Sequence, residues 1–280
     1  MITRRTMLAA ACATLPGFGK QNAAARFGLE IYSLRNEAQK DLPATLAMIR
    51  KFGFREIEMG DLFGRTAAEY RRLLDGAGLR ATSMMADYER LQKSTDAVAA
   101  DAHAIGAEYV VCGAIPHKKQ LTAENVSRAV EDFNRWGEKL SGAGLRLGYH
   151  THGVEFGKSP DGTLFDTLVR QTDPKHVNFE MDIFWIVFAF QDPVKLLHKY
   201  PGRFPLMHVK DIRKGTVLGR TPGDVMEEDS VPLGAGIVDI PAALRAAKEA
   251  GVHHYYIEDE AVNAAEQIPE SLKYLDRLTS

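Results

Sequence analysis

Short runs of apolar, β-branched and aromatic residues alternate along this chain with longer stretches whose apolar positions recur at helical spacing. The strand-like runs are Phe27 to Ser33, Phe54 to Met59, Leu79 to Met85, Tyr109 to Gly113, Leu145 to His150, Val177 to Asp182, Phe204 to Val209 and His254 to Glu258. The helical patterns are Leu42 to Lys51, Ala67 to Ala77, Tyr88 to Ile105, Ala123 to Leu140, Leu164 to Arg170, Pro193 to Lys199, Ile240 to Ala250 and Ala264 to Leu278. Several of these stop at Gly53, Gly78, Gly106, Gly144 or Gly251, where glycine supplies the left-handed residue that turns the chain toward the next strand. A strand followed by a helix, repeated eight times, is the pattern of parallel βα units and predicts an α/β protein of the (β/α)8 TIM barrel type, for which about 250 residues are typical. A doubly wound open sheet would carry a glycine-rich phosphate loop after its first strand. The residues there are Tyr32-Ser33-Leu34-Arg35-Asn36, and the chain holds no Walker-type loop either.

Charge divides the chain in two. The 280 residues carry a formal net charge of −2, but the first 25 hold Arg4, Arg5 and Lys20 and no acid. Two adjacent arginines ahead of a weakly apolar run to about Phe18 resemble a twin-arginine export signal, with an A-x-A site at Ala23-Ala24-Ala25. Residues 1–25 are therefore expected to be a leader, and residues 26–280 the barrel of an exported, periplasmic protein. The apolar run is shorter than the roughly 20 residues of a membrane span, so no stable membrane insertion is expected. Cys12 follows three alanines, but Leu8 stands one place too far upstream for the usual lipoprotein pattern. With only 2 Cys in the chain, a disulfide scaffold is excluded. The acidic body lacks the basic footprint that nucleic-acid binding requires.

Candidate chemistry lies at the strand ends, because a barrel of this kind builds its site at the C-terminal mouths of its strands. Strand two ends in Glu56-Ile57-Glu58, strand five in Tyr149-His150-Thr151-His152, strand six in Glu180-Met181-Asp182, strand seven in His208-Val209-Lys210-Asp211 and strand eight in Ile257-Glu258-Asp259-Glu260. Alternation places His150 with His152, and His208 with Lys210, on common faces. A set of His, Asp, His and Glu without thiolates suits a divalent ion such as Mn2+, Zn2+ or Mg2+. Each residue also has an ordinary structural alternative: Asp182 as a helix N-cap, His208 as a satisfied core histidine, Glu258 as a charge on the barrel rim.

These segments resemble the sugar phosphate isomerase/epimerase family, the xylose isomerase-like TIM barrels. The resemblance rests on Gly28-Leu29-Glu30-Ile31-Tyr32-Ser33-Leu34-Arg35, Gly148-Tyr149-His150-Thr151-His152-Gly153-Val154-Glu155-Phe156 and Phe179-Glu180-Met181-Asp182-Ile183-Phe184-Trp185. It continues through Leu206-Met207-His208-Val209-Lys210-Asp211, Leu233-Gly234-Ala235-Gly236-Ile237-Val238-Asp239 and Tyr256-Ile257-Glu258-Asp259. It implies one divalent cation bound by residues ending strands five to eight, the last three being Asp182, His208 and Glu258. The strand-five position, commonly Glu, is His150 here, and His150, His152 and Glu155 all remain candidates for that ligand. Glu30 stands where Gln is frequent.

The chemistry implied is proton abstraction from carbon beside a carbonyl, through an enediolate. His152 is the candidate base, with Glu258 assisting and Lys210 also in the catalytic set; Glu58, Glu155, Trp185 and Arg213 are candidates for holding substrate. Epimerisation or isomerisation of an unphosphorylated sugar or keto-sugar is the leading expectation. A keto-sugar or keto-inositol lyase or dehydratase follows it, and then a sugar-binding barrel without catalysis. DNA repair of the endonuclease IV type would need three metals, more strand-end histidines and a basic groove. A homo-oligomer is left open.

Overall fold

The computed structural model describes residues 22–219 and 225–279. Arg4, Arg5 and Cys12 lie outside the described residues. Eight strands form the barrel: β1 (Gly28–Glu30), β2 (Glu56–Met59), β3 (Arg80–Ala86), β4 (Tyr109–Cys112), β5 (Arg146–Tyr149), β6 (Glu180–Asp182), β7 (Leu206–Val209) and β8 (His254–Ile257). All seven ladder pairings are parallel, in the order β5-β4-β3-β2-β1-β8-β7-β6. Parallel bridges Leu147 to Val177 and His150 to Glu180 join β5 to β6 and close the ring.

Around it lie α1 (Leu42–Phe52), α2 (Ala67–Ala77), α3 (Thr95–Ile105), α4 (Ala123–Gly142), α5 (Leu164–Gln171), α6 (Pro193–Lys199), α7 (Ile240–Ala250) and α8 (Ala264–Thr279). Their boundaries follow local chemistry. Thr66, Thr122 and Thr163 each form a capping box with the residue three places on, and Gly78 and Gly251 end α2 and α7 with φ of 68° and 87°. Each helix turns an apolar stripe onto strands that are buried on both faces, which is why the strands read as near-continuous apolar runs.

Two expectations are corrected, and one element joins those the pattern predicts. The pattern from Tyr88 to Ile105 is two helices, Tyr88–Lys93 and α3, because Ser94 is extended (φ −161°) and its hydroxyl caps Ala97 N–H. Strand one stops at Glu30 rather than Ser33, since the Glu30 side chain accepts the Tyr32 N–H and starts a 3-10 turn over Ile31–Leu34. An additional helix, Ile183–Phe188, follows β6, capped by Asp182.

Residues 23–25, assigned above to the leader, form a 3-10 turn in which Ala23 and Ala24 are buried. Ala23 N–H donates to Asp276 Oδ1 of α8 at 2.6 Å. Among the described residues no helix is long and apolar enough to cross a membrane.

Candidate functional site

A cavity of about 860 Å3 opens at the C-terminal mouth of the barrel, and Glu30, His150, His152, Trp185, His208 and Glu258 contribute to its lining. Five acids line it (Glu30, Asp87, Glu89, Glu258, Glu260) against two permanent cations, Arg90 and Lys93.

At the cavity floor, His150 and His208 meet Asp182 just below them; all three are buried, and one donor atom from each falls within 4.8 Å of the other two. Their backbone positions explain the convergence. β5, β6 and β7 are neighbours, and the register pairs His150 with Glu180 and Asp182 with His208. Asp182 performs two tasks: Oδ1 accepts the N–H groups of Phe184 (2.8 Å) and Trp185 (3.3 Å), while the buried Oδ2 accepts no hydrogen bond. Oδ2 lies 3.8 Å from His150 Nε2, 4.0 Å from His208 Nδ1 and 3.6 Å from Lys210 Nζ. The capping alternative and the ligand reading thus apply to different oxygens of one carboxylate. Glu258 joins through Oε2, 2.8 Å from His208 Nδ1 and 3.1 Å from Lys210 Nζ.

The opposite edges of the histidines are tied to carboxylates. His150 Nδ1 lies 2.9 Å from Glu180 Oε2, and His208 Nε2 lies 2.5 Å from Glu58 Oε2 and 3.3 Å from Glu180 Oε2. A carboxylate on one ring nitrogen fixes the imidazole so that the other nitrogen faces the donor cluster, the usual support of a metal-binding histidine.

The electrostatics follow from burial and this crowd of acids. Burial and then the Glu58 charge push Glu180 well above the ordinary carboxylate range, while burial, outweighing Lys210, raises Asp182 to about 6. Burial, with His152, His208 and Lys210 nearby, holds His150 well below the usual imidazole value. For His208 burial acts downward, but the charges of Glu180 and Glu58 prevail and raise it well above that value. Lys210 likewise stays charged despite burial, among Glu258, Glu260 and Asp182.

This excess of buried acid, the unused Asp182 oxygen and the all-N/O donor set fit a divalent cation. His150, Asp182 and His208 would hold it, with Glu258 adjoining.

Of the other residues singled out in the sequence, His152 and Trp185 face the cavity with ring centroids 5.8 Å apart. Lys210 reaches Glu260 at 2.5 Å and lies within ion-pair distance of Asp182 and Glu258. Three of the four proposed substrate contacts have other partners. Glu58 is fully buried, with Oε1 bonded to Ser83 and Oε2 to His208, so it orients a histidine. Glu155 is also fully buried, accepting from Tyr149 O–H and from His152 N–H (3.2 Å), so it shapes the turn after β5. Arg213 pairs with Glu228 at 3.3 Å outside the cavity lining.

Glu180 and Glu30 were not among the sequence candidates. Their signal was the two-residue period: Glu180 shares a strand face with Asp182, and Glu30 is the last residue of its strand.

The profile of the xylose isomerase-like TIM barrel family matches residues 46–278. A curated relative, the inosose dehydratase of Geobacillus kaustophilus (strain HTA426), is 27% identical over 190 residues, 60% of this chain and 61% of that protein. The match therefore spans about three-fifths of the relative's length. Among solved structures, a sugar phosphate isomerase/epimerase from Parabacteroides distasonis ATCC 8503 is 28% identical, covering 92% of this chain and 96% of that one with a TM-score of 0.71. The IOLI protein, crystallised with a zinc atom, shares the fold at 15% identity, covering 91% of this chain and 98% of that one with a TM-score of 0.71. The closed parallel ring, the strand-end cluster and the profile match over most of its length together place this chain in the xylose isomerase-like TIM barrel family.

Proposed function

We propose that this chain is a metal-dependent enzyme that removes a proton from the carbon beside a carbonyl of an unphosphorylated sugar or keto-sugar, and returns an isomer or epimer through an enediolate. The observation that carries this reading is the convergence of His150, Asp182 and His208 within 4.8 Å at the floor of a cavity that His152 also lines. That the IOLI protein, which shares this fold, was crystallised with a zinc atom is in keeping with a cation in this barrel. Bound there, the ion would polarise the carbonyl as a Lewis acid and stabilise the charge that develops on oxygen.

The chain's own groups supply the rest. Burial and Lys210 bring His152 down to about 4, so its imidazole is neutral at pH 7 and free to take a proton. Glu155 fixes its backbone and Trp185 packs against its ring, which limits the orientations open to it. The buried Lys210 ammonium, behind the cavity lining, sets its positive charge against Asp182, Glu258 and Glu260 and so holds the Glu258 carboxylate in place. Sugar phosphates are scarce outside the cytoplasm, so the export expected from the N-terminal residues favours an unphosphorylated substrate.

A second reading is elimination: the curated relatives named inosose dehydratase favour loss of a hydroxyl from the same enediolate. Incubation of the Mn2+-loaded protein with L-ribulose and with inosose in D2O tests both. Deuterium at the α-carbon with a new epimer or isomer supports the first, loss of water supports the second, and absence of exchange contradicts proton abstraction.

A further inference from the structure

Glu30 is a buried acid in the cavity lining to which the mechanism above gives no task. We propose that Glu30 is a second proton-transfer residue, acting on the substrate from the wall opposite His152; this rests on the proton-abstraction reading. In the closed ring of eight strands, β1 and β5 stand diametrically opposed, so Glu30 at the end of β1 and His152 just beyond β5 bracket the cavity they both line.

Glu30 is 2% exposed. Its Oε1 accepts Tyr32 N–H at 3.1 Å, and its buried Oε2 accepts no hydrogen bond. Gly60 leaves it room, because a Cβ at that position would come within 3.0 Å of Oε1. A carboxyl group with one oxygen accepting no hydrogen bond thus stands in the cavity wall across the ring from His152, placed to exchange a proton with a substrate between them.

His152 takes the α-proton, and the C–H electron pair becomes the carbon–carbon double bond of the enediolate as charge moves to the carbonyl oxygen. For inversion, the Glu30 O–H breaks as a new C–H forms on the other face of that carbon and the carbonyl is restored. For elimination, the same proton goes to the departing hydroxyl as its C–O bond breaks, and water leaves. Either way Glu30 ends as a carboxylate and His152 as an imidazolium, and exchange with solvent resets both.

Glu30→Gln keeps the shape and the acceptor for Tyr32 while removing the proton. With L-ribulose and inosose in D2O, the variant is expected to retain α-hydrogen exchange while product formation falls about 100-fold or more, the range general acid catalysis supplies. Glu30→Asp is expected to recover part of the product rate. Parallel loss of exchange and product, or an unchanged product rate, overturns the assignment.

The wild type gives a reading that does not depend on the variant folding. Two-sided transfer loads solvent deuterium into nearly every new product molecule, whereas a single base that carries protium across overturns the proposal. Glu30, Glu58 and His208 are also close enough to hold a cation, so metal content is measured in parallel. Equal stoichiometry in wild type and Glu30→Gln is expected, and a loss in the variant would make Glu30 a ligand instead. If the wild type exchanges no α-hydrogen with either compound, proton abstraction itself fails and the Glu30 assignment with it.

Discussion

Glu180 Oε2 lies 2.9 Å from His150 Nδ1, and the same oxygen comes within 3.3 Å of His208 Nε2. One buried carboxylate on β6 thereby steadies imidazoles from the two flanking strands. Supports of this kind are worth roughly 10–100-fold in metal affinity. Glu180→Ala is expected to weaken Mn2+ or Zn2+ binding by about that factor, measured by chelator competition, while Asp182 and the cavity lining stay in place.

Asp211 ties the loop before α7 to β7. Its carboxylate accepts the N–H groups of Ile212 (2.9 Å), Gly234 (2.9 Å), Gly236 (2.9 Å) and Val238 (3.0 Å). Replacing one oxygen with an amide NH2 would turn a donor toward donors. Asp211→Asn is expected to cost roughly 2–4 kcal/mol, as for buried groups left unsatisfied, and chemical denaturation measures it. Gly236→Ala is expected to be at least as harmful, because its Cβ would collide with the Ile212 carbonyl.

Acid stability has a contributor away from the site. Asp166 is partly lifted by burial, but hydrogen bonds from Lys199 (2.7 Å), Tyr200 and Thr163 N–H (2.9 Å) prevail and lower it to about 2. A depressed folded-state value means that this stabilisation is present above the unfolded value of about 3.9 and is lost as pH falls toward 2. Asp166→Asn is expected to lower stability at pH 7 and to flatten its fall between about pH 4 and pH 2, followed by thermal melts across that range.

The N-terminal boundary has a consequence for processing. Cleavage after Ala25 would remove the buried Ala23 and Ala24 and the Ala23 bond to Asp276. A chain beginning at Arg26 is expected to be less stable than one beginning at Asn22 by roughly 2 kcal/mol, from small apolar burial and one hydrogen bond to a charged acceptor. Comparing the melting of the two truncations measures the difference. If the twin arginines direct export, the mass of the secreted protein is expected to show that Ala23 is retained.

The barrel was legible because eight apolar runs separated by amphipathic stretches admit few closed arrangements, and His150, Asp182 and His208 because strand-end polar residues converge once that ring closes. Finer features depended on contacts that no local pattern contains. The Ile183–Phe188 helix is apolar almost all round, so it has no period to read. Ser94 looked like one polar position within a long helix until its hydroxyl was seen capping the next one. Glu58 was read as a substrate contact because strand ends face the mouth, yet Ser83 and His208 occupy both its oxygens below the cavity. Glu30 and Glu180 stood in view at strand ends, but only the closed ring, which sets them beside other acids, gave them a place in the site.

The central claim is that a divalent ion sits among His150, Asp182 and His208 and makes proton abstraction possible. Elemental analysis of the purified protein, paired with α-hydrogen exchange in D2O before and after chelation, tests it directly. The account predicts one divalent ion per chain, its loss in Asp182→Ala and His208→Ala, and exchange that stops on chelation and returns with Mn2+. A protein that takes up no stoichiometric divalent ion, or that exchanges α-hydrogen equally well with both residues removed, would contradict it.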